Sequence, residues 1–409
     1  MTASTPAGEV RVYRYRWIVL GAWMAVDTVL PGLWICYAPV ASRAASLWGV
    51  SEVQVGLLAM TFMVVYLVTS LPASWALERF GFRKAMGFAV VLMGVTAVLR
   101  GAFALDYPIV LAATVGLAVV QPFVVNASTK MVARWFPAHE RATVLGVSFV
   151  APVMGVALGS GLTPILVESL GFAQTYRAYA LAAVLVALLF LVFAREQPPT
   201  PAGHEVRVTI GRGFGVVLRK PEFYLLAVAF FLAFAIWDGV ATWVEGITRS
   251  RGLSSAQVGV IGGLLSVAGA VGSLLLPWIS DRLRRRRLIL TVGMWMSLPG
   301  LLGLAVLSGF GPIAAATIWL GVFIVGCIPL ITQFTVELCY PAPEPASTGV
   351  LMIASQGSVI AITLMGLSYE RAGTFTPSLL VLGGLMLVSS LVLQRVPEPS
   401  GSARPAPGS

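Results

Sequence analysis

The stretch RWIVLGAWMAVDTVLPGLWICYAPVAS, residues 16–42, decides how the rest of the chain is organised. It is almost unbroken apolar sequence, long enough to cross a hydrocarbon core of about 30 Å as a tilted helix. Asp27 lies near its middle, and an acid at that depth must face something other than lipid. Trp23, Asp27 and Trp34 are spaced by four and seven residues, so they share one face of the predicted helix. We expect that face to line a cavity.

The composition of the whole chain is that of a protein that crosses a membrane many times. The 409 residues are 58% hydrophobic and 11% charged, whereas a soluble domain carries roughly 25% charged residues. The first apolar run is too long for the core of a signal peptide, and no small-residue cleavage site follows it. We therefore expect this run to remain as the first transmembrane helix.

Residues that would support other classes of function are scarce. The three cysteines, Cys36, Cys327 and Cys339, are scattered over predicted helices and imply neither disulfides nor a metal site. The two histidines, His139 and His204, lie in predicted cytoplasmic loops. We find no nucleotide-binding glycine-rich loop and no nucleophile–base motif. The sequence therefore predicts no enzymatic activity, no metal, no cofactor and no nucleic-acid partner, and membrane topology explains the net charge of +10.

Hydrophobic runs separated by short polar loops predict an all-α membrane protein with twelve transmembrane helices. The predicted spans lie near residues 17–42, 52–76, 85–102, 107–134, 140–168, 174–194, 222–248, 256–279, 287–308, 311–338, 345–370 and 375–394. An even number of spans places both termini on the same side of the membrane.

Lysine and arginine residues orient these spans, because cytoplasmic loops carry an excess of both. If the N-terminus is cytoplasmic, all but six of the 27 basic residues fall on the cytoplasmic side. The six others are Arg43, Arg100, Arg177, Arg249, Arg251 and Arg371. We predict a multi-pass protein of the cell (inner) membrane with both termini in the cytoplasm, and we expect a monomer.

An internal repeat divides the chain into two halves. Gln54-Val55-Gly56 recurs as Gln257-Val258-Gly259, and Trp34 recurs as Trp237, in both cases 203 residues later. A constant offset predicts two parallel six-helix bundles, so that the seventh span is the counterpart of the first. In such transporters the substrate site lies between the repeats near the midplane. The predicted segments are an N-terminal segment 1–16, bundles 17–194 and 222–394, a cytoplasmic linker 195–221 and a tail 395–409.

The loop after the second span reads SWALERFGFRK, residues 74–84, and its echo after the eighth span reads PWISDRLRRRR, residues 277–287. The first copy resembles motif A of the major facilitator superfamily, with Ser74 in place of the first glycine and Glu78 in place of the aspartate. The resemblance implies the fold of that superfamily. An acid and bases at helix ends can form a latch that gates the cytoplasmic face. The predicted gating residues are Glu78, Arg79, Arg83, Asp281 and Arg282.

Ionisable residues at membrane depth are rare and usually functional. The acidic candidates are Asp27 and, on the seventh span, Asp238 and Glu245, the last close to the outer boundary, where a structural role is the alternative. This favours a cationic or protonatable substrate, or a proton as the coupling ion, and we predict Asp27 and Asp238 as proton-coupling residues. The alternative for Asp27 is a structural hydrogen bond or ion pair. Arg100, at the outer end of the third span, is expected to extend its guanidinium toward water.

Aromatic and amide side chains complete the predicted substrate site. Aromatic faces attract ammonium ions, and an amide in hydrocarbon costs free energy unless it faces a partner or a cavity. Trp34 and Trp237 are equivalent in the repeat and are assigned to the cavity rather than to an interfacial belt. The predicted substrate-binding residues are Trp34, Tyr37, Gln121, Asn126, Trp237, Thr242, Trp243 and Gln356.

Three stretches resemble the feline leukaemia virus subgroup C receptor-related transporters, a family associated with choline, ethanolamine and haem. They are LWICY at 33–37, QPFVVN at 121–126 followed by Lys130, and ELCYP at 337–341 leading to Gln356. The resemblance implies that Trp34, Gln121 and Gln356 help to form a choline pocket. Thr242 or Trp243 stands near the place of a family tyrosine, and the family pattern requires no acid at Asp27.

The predicted function is a secondary active or facilitative transporter that moves a choline- or ethanolamine-like cation by alternating access. Its predicted partners are the small-molecule substrate and the lipid bilayer, with protons as a candidate coupling ion for symport. Two alternatives stay open at this point: a proton-coupled drug exporter, and an organic-anion or metabolite symporter that uses Lys130 and Arg134. A membrane receptor or an embedded enzyme would need a sensing domain or a catalytic motif that we do not find.

Overall fold

The computed structural model describes residues 13–137, 140–199, 215–339 and 344–398, and every regular element in these ranges is helical. Most of the predicted segments 1–16 and 395–409, the middle of linker 195–221, and both histidines lie outside these ranges. Twelve stretches are long and apolar enough to cross a membrane, which confirms the predicted fold class. The α-helices are α1 (Arg16–Ile35), α2 (Ala41–Trp48), α3 (Glu52–Phe80), α4 (Phe82–Ala102), α5 (Tyr107–Trp135), α6 (Arg141–Ser148), α7 (Val150–Leu170), α8 (Phe172–Phe193), α9 (Pro221–Thr242), α10 (Val244–Thr248), α11 (Ser255–Leu283), α12 (Arg286–Val306), α13 (Phe310–Cys339), α14 (Glu344–Gln356), α15 (Ser358–Ala372) and α16 (Thr376–Leu393).

Four of the predicted spans are interrupted where the sequence predicted continuous helices. The first span breaks after α1, where a 3₁₀ turn carries Pro39, a residue without a backbone N–H. The seventh breaks at Trp243, the fifth at Phe149 and the eleventh at Gly357. Spans 1 and 7 are counterparts in the repeat, and so are spans 5 and 11, so each half is interrupted in the same places. At Phe149 and Gly357 the backbone dihedrals stay right-handed helical, so these two are local distortions, whereas Trp243, with φ −103° and ψ 19°, departs from helical geometry. Irregular backbone at membrane depth is tolerated where protein or a cavity surrounds it.

The chain forms two compact units. The first comprises the described parts of Met1–Leu33, Val68–Gly155 and Leu170–Arg207. The second comprises those of Trp34–Leu67, Val156–Ser169 and Val208–Ser409. Helices α1, α3 and α7 pass from one unit to the other along their length. The predicted six-helix bundles 17–194 and 222–394 stay a prediction.

In the first unit, α4 packs against α5 and α8. A small residue permits the contact with α8, because a Cβ built on Gly101 would lie 2.8 Å from the carbonyl oxygen of Tyr176. Lipid tails are as apolar as the helices, so the hydrophobic effect does not bring membrane helices together. Close backbone approach at small residues provides van der Waals packing instead.

In the second unit, α13 packs against α11, α12 and α9, and α9 also contacts α14, α15 and α16. Glycine again sets the approach, since a Cβ on Gly326 of α13 would lie 2.7 Å from the carbonyl oxygen of Gly272 of α11. The core includes the fully buried side chains of Phe223, Phe230 and Ile236 on α9. Helix α9 is thus held on several sides, and its polar residues have fixed positions.

Candidate functional site

A small cavity lies in the second unit where α1 ends, beside α3 and the end of α9. Its volume is about 10 Å³, which is room for about one water. We call it the aromatic pocket. It is lined by Trp34, Tyr37, Ala38, Ala41, Val55, Gly56, Ala59, Thr242 and Trp243. Four of these are predicted substrate-binding residues, and a substituted ammonium ion would enter only if the lining moved apart.

Trp34 is oriented by a hydrogen bond, because its indole Nε1 donates to the carbonyl oxygen of Ala59 at 3.1 Å. Its ring lies beside the ring of Trp237, with centroids 6.5 Å apart and planes inclined by 54°. Both side chains are half-buried. The two tryptophans that the repeat makes equivalent are therefore neighbours, but Trp237 is not among the residues that line the aromatic pocket.

Trp243 closes one side of the aromatic pocket and is tightly held. Its side chain is buried, and its Nε1 donates to the carbonyl oxygen of Ile362 at 3.1 Å. A Cβ on Gly56 would lie 2.5 Å from its ring, and one on Gly366 would lie 2.9 Å from it. The absence of a side chain at both glycines makes room for this indole, so Trp243 acts here as a packed wall.

Two polar atoms beside the pocket lack hydrogen-bond partners among the described residues, the Nε1 of Trp237 and the Oγ1 of Thr242. Both atoms are buried. A buried polar group without a partner costs about 1–3 kcal/mol, so such atoms call for an explanation. A ligand hydroxyl could bind to either atom, because Nε1 is a donor and a threonine hydroxyl donates and accepts.

Asp238 lies one helical turn before Thr242 on α9 and is buried. Its Oδ2 accepts a hydrogen bond from the Ser358 hydroxyl at 2.8 Å, and that hydroxyl lies 3.5 Å from the sulfur of Met63. Gln356 is half-buried at the end of α14, two residues before Ser358. The break in the eleventh span thus supplies the partner of Asp238 and carries the predicted Gln356.

Glu245, on α10, belongs to a polar network that the sequence-based site omitted. It accepts hydrogen bonds from the backbone N–H of Ser42, at 2.9 Å, and from the Ser42 hydroxyl. Arg249 binds Glu245 at 3.4 Å and also forms an ion pair with Glu52. Burial works to lower the pKa of Arg249, but Glu52 and Glu245 outweigh it, so that pKa is raised. Ser42 and Glu245 are 203 residues apart, the repeat offset, which is the signal that could have found the pair.

The remaining predicted binding and coupling residues lie in the first unit. Asp27 is buried, and no ion-pair or hydrogen-bond partner of its carboxylate is found in the described part of the chain. The Oε1 of Gln121 is also buried without a partner among those residues. The amide nitrogen of Asn126 instead donates to the Ser74 hydroxyl at 2.9 Å and contacts the carbonyl oxygen of Ser70 at 3.4 Å.

Arg100 differs from its predicted placement, because it is 2% exposed rather than extended toward water. Its guanidinium donates to the carbonyl oxygen of Leu33 at 3.0 Å. That carbonyl lies in the last turn of α1, where intrahelical partners run out. A buried cation therefore stabilises the last turn of α1, which carries Trp34.

The predicted gating acid of the first unit, Glu78, is not the carboxylate that binds the N-terminus of α4, and the gating role stays a prediction. Glu78 and Arg79 are exposed. The acid at the N-terminus of α4 is Glu196, which accepts from the backbone N–H groups of Phe82 and Arg83 at 2.9 and 2.7 Å. Glu196 also forms an ion pair with Arg134. A carboxylate at this position interacts favourably with the positive end of the helix dipole. The sequence did not indicate the contact, because Glu196 lies more than 100 residues after Phe82 and Arg83.

The second unit contains a related arrangement. Arg286 forms ion pairs with the predicted gating residue Asp281, at 2.9 Å, and with Glu337, at 2.7 Å. Glu398 accepts from the backbone N–H of Arg287 near the start of α12. The guanidinium of Arg282 lies 4.4 Å from the ring centroid of Trp278. The two arrangements correspond. Glu196 follows α8 and binds the N-terminus of α4, and Glu398 follows α16 and binds the N-terminus of α12.

The described residues contain twelve helical stretches that could cross a membrane, and the aromatic pocket has buried polar atoms beside it. Together with the internal repeat, these features are those of a membrane transporter. The family model of the Major Facilitator Superfamily matches residues 18–363. The chain belongs to the Major Facilitator Superfamily. In the described ranges, no cluster of histidine, cysteine, aspartate or glutamate could hold a metal ion.

Relatives and solved structures agree with this assignment. The chain is 26% identical to solute carrier family 49 member A3 of Danio rerio, over 95% of the chain and 89% of the relative. It is 25% identical to the choline/ethanolamine transporter FLVCR2 of Homo sapiens, over 89% and 74%. Its fold matches that of a bacterial homologue of the human lysosomal transporter Spinster, with a TM-score of 0.74, 15% identity and coverage of 94% and 96%. The resemblance to the receptor-related transporters is confirmed, and the chain is a transporter rather than an enzyme.

Proposed function

We propose that this transporter moves a small organic cation of the choline or ethanolamine type by alternating access, and that the aromatic pocket binds it. The observation that carries the proposal is the pairing of Trp34 with Trp237 beside two buried polar atoms without partners. The named function of the human relative, choline/ethanolamine transport, supports the same substrate class.

The chemistry of choline fits this arrangement. A quaternary ammonium group has no N–H to donate, so it is recognised by aromatic faces rather than by hydrogen bonds. Trp34 and Trp237 supply two such faces, with Tyr37 in the pocket lining. The hydroxyl at the other end of the molecule would accept from the Nε1 of Trp237 or bind the hydroxyl of Thr242. The predicted roles of Gln121, Asn126 and Gln356 in the same site remain proposals.

A proton is the coupling ion that we propose, with Asp238 or Asp27 as its carrier. Both carboxyl groups are buried in membrane-spanning helices, where ionisable residues mark ion and proton pathways. Asp238 supports this most directly, since its single described hydrogen bond comes from a neutral serine and no cation pairs with it in the described ranges.

The membrane orientation that we propose follows from the distribution of charge, since the excess of basic residues in one set of loops favours a cell-membrane protein with cytoplasmic termini. We also propose that the protein acts as a monomer and does not bind nucleic acid. For an organic-anion symporter, Arg134 would have to be available to substrate. Arg134 instead forms an ion pair with Glu196, and this favours a cationic substrate over an anionic one.

Replacement of Trp34 tests the proposed binding site. We expect Trp34→Ala to weaken choline binding about 30-fold, because an aromatic contact to a desolvated ammonium contributes about 2 kcal/mol. Trp34→Phe keeps an aromatic face and should bind within a few-fold of the unaltered protein. The measurement is equilibrium binding of labelled choline to the purified protein.

The matched control is Trp319→Ala, which removes an exposed tryptophan on α13 outside the pocket. It should leave the affinity unchanged. Equal affinity of the Trp34→Ala variant and the unaltered protein would contradict the assignment of the pocket, and absence of choline binding by the unaltered protein would contradict the substrate class.

A further inference from the structure

A second and larger cavity lies in the second unit, between the start of α12 and the end of α16. Its volume is about 560 Å³, and it shares no lining residue with the aromatic pocket. We call it the α12–α16 groove. Arginines and a carboxylate line its mouth at the helix ends, and apolar side chains line its wall along α12. A cavity with one basic end and one apolar side fits an amphipathic ligand.

The mouth of the groove lies within a run of four arginines, residues 284–287. Arg287 is fixed, because its guanidinium donates to the carbonyl oxygens of Gln394 and Val396, both at 3.1 Å. Glu398 also lines the mouth, and its carboxylate accepts from the backbone N–H of Arg287 and forms an ion pair with the Arg287 guanidinium at 3.9 Å, so the charge of Arg287 is largely matched. Arg285 lines the groove, is exposed, and has no side-chain partner in the described part of the chain. Positive charge therefore remains available there.

The wall of the groove is apolar and faces outward. Leu288, Val292 and Trp295 follow one another at spacings of four and three, which places them on one face of α12. They are 44%, 38% and 38% exposed. Trp295 is held in place, because its Nε1 donates to the Ser390 hydroxyl at 2.6 Å. From Arg287 to Trp295 the helix rises about 12 Å, so the wall extends well into the hydrocarbon region.

We propose that the α12–α16 groove binds an anionic phospholipid, with its phosphate at Arg285 and Arg287 and one acyl chain along Leu288, Val292 and Trp295. Basic pockets between membrane helices bind anionic headgroups. The excess of arginine over acid at the mouth selects an anionic over a zwitterionic lipid. The apolar wall favours a lipid over a free anion, because a free anion has no acyl chain to pack against the wall.

Lipid binding to the detergent-purified full chain tests the charge part of the proposal. The protein is titrated with dioleoyl phosphatidylglycerol or dioleoyl phosphatidylcholine, and bound lipid is counted by native mass spectrometry. We expect phosphatidylglycerol to bind more tightly, and Arg285→Gln to weaken its binding about fivefold. Arg284→Gln removes the same charge from the adjacent residue outside the groove lining and should retain the affinity.

A steric variant tests the acyl-chain part without any change of charge. Val292→Trp should obstruct the apolar wall where the acyl chain would lie and abolish preferential retention of phosphatidylglycerol, whereas Val271→Trp, at an exposed site on α11, should not. Equal loss in the Arg284→Gln and Arg285→Gln variants would overturn the proposal in favour of general charge attraction. Equal binding of the two lipids, retention of lipid by Val292→Trp, or competition by millimolar inorganic phosphate would also overturn it.

Discussion

At the scale of single residues, Asp238 shows how one side chain connects the binding and coupling proposals. It lies one turn from Thr242, at the aromatic pocket, and binds Ser358 at the break in the eleventh span. Replacement by asparagine preserves an acceptor for Ser358 but removes the titratable group. Binding geometry and proton coupling can therefore be separated by a single substitution.

We expect Asp238→Asn to abolish choline accumulation driven by a pH gradient while choline–choline exchange continues. The measurement compares the two processes in proteoliposomes, with Asp27→Asn tested in parallel and the exposed Glu370→Gln as control. Full gradient-driven accumulation in both the Asp238→Asn and Asp27→Asn variants would exclude either acid as the proton carrier.

The residues differ in how far sequence could predict their surroundings. The repeat offset predicted that Trp34 and Trp237 are equivalent, and their rings are neighbours. Nothing local indicated that Arg100 would bind Leu33 or that Glu196 would bind the start of α4, because those partners are brought together by packing. Long-range polar contacts depend on the placement of helices, which periodicity does not encode.

At the scale of the elements, the contact between α3 and the break in the seventh span depends on a missing side chain. Gly56→Ala would place a methyl group 2.5 Å from the buried ring of Trp243. Overpacking of this kind costs about 1–3 kcal/mol, so we expect a lower apparent melting temperature in detergent. Gly161→Ala is the control, since nothing lies within 4 Å of its Cβ position.

The double variant identifies the cause of that destabilisation. If the clash with the indole is responsible, Gly56→Ala should add little further loss of stability to Trp243→Phe, whose smaller ring leaves space. An undiminished penalty in the Trp243→Phe background would show that the proposed contact is not the cause.

The N-terminus of α4 provides a second test at this scale. We expect Glu196→Gln to lower stability by about 1 kcal/mol, because it removes a charge-assisted cap and an ion pair with Arg134. Glu78→Gln should have no measurable effect, since Glu78 is exposed. Thermal unfolding at low and high salt makes the comparison, and greater destabilisation by Glu78→Gln would restore the predicted acid as the latch.

The positions of the helices could be predicted from the sequence, but the interruptions within them were not predicted. The hydrophobic runs located all twelve spans because their length must match the bilayer. Pro39 is a signal for the break in the first span, and the polar group of Ser355, Gln356, Gly357 and Ser358 is one for the eleventh, but no proline or glycine adjoins Trp243. These interruptions matter for the site, since they position Thr242, Trp243 and Gln356.

At the scale of the whole molecule, composition and the 203-residue offset were sufficient for the class of protein. A chain with 11% charged residues leaves few alternatives to a polytopic fold, and the match over residues 18–363 confirms the superfamily. Substrate identity depends on a few side chains and stays a proposal. The α12–α16 groove was not foreseen, because its basic mouth and apolar wall are separate features in sequence.

The central claim is that this chain carries a small organic cation through the aromatic pocket, and counterflow in proteoliposomes tests it most directly. Vesicles loaded with unlabelled choline are diluted into labelled choline, and internal label is followed over time. We predict transient accumulation by the unaltered protein, its loss in the Trp34→Ala variant, and its retention in the Trp34→Phe variant. Absence of choline and ethanolamine counterflow by the unaltered protein, with counterflow of a simple carboxylate instead, would contradict the account.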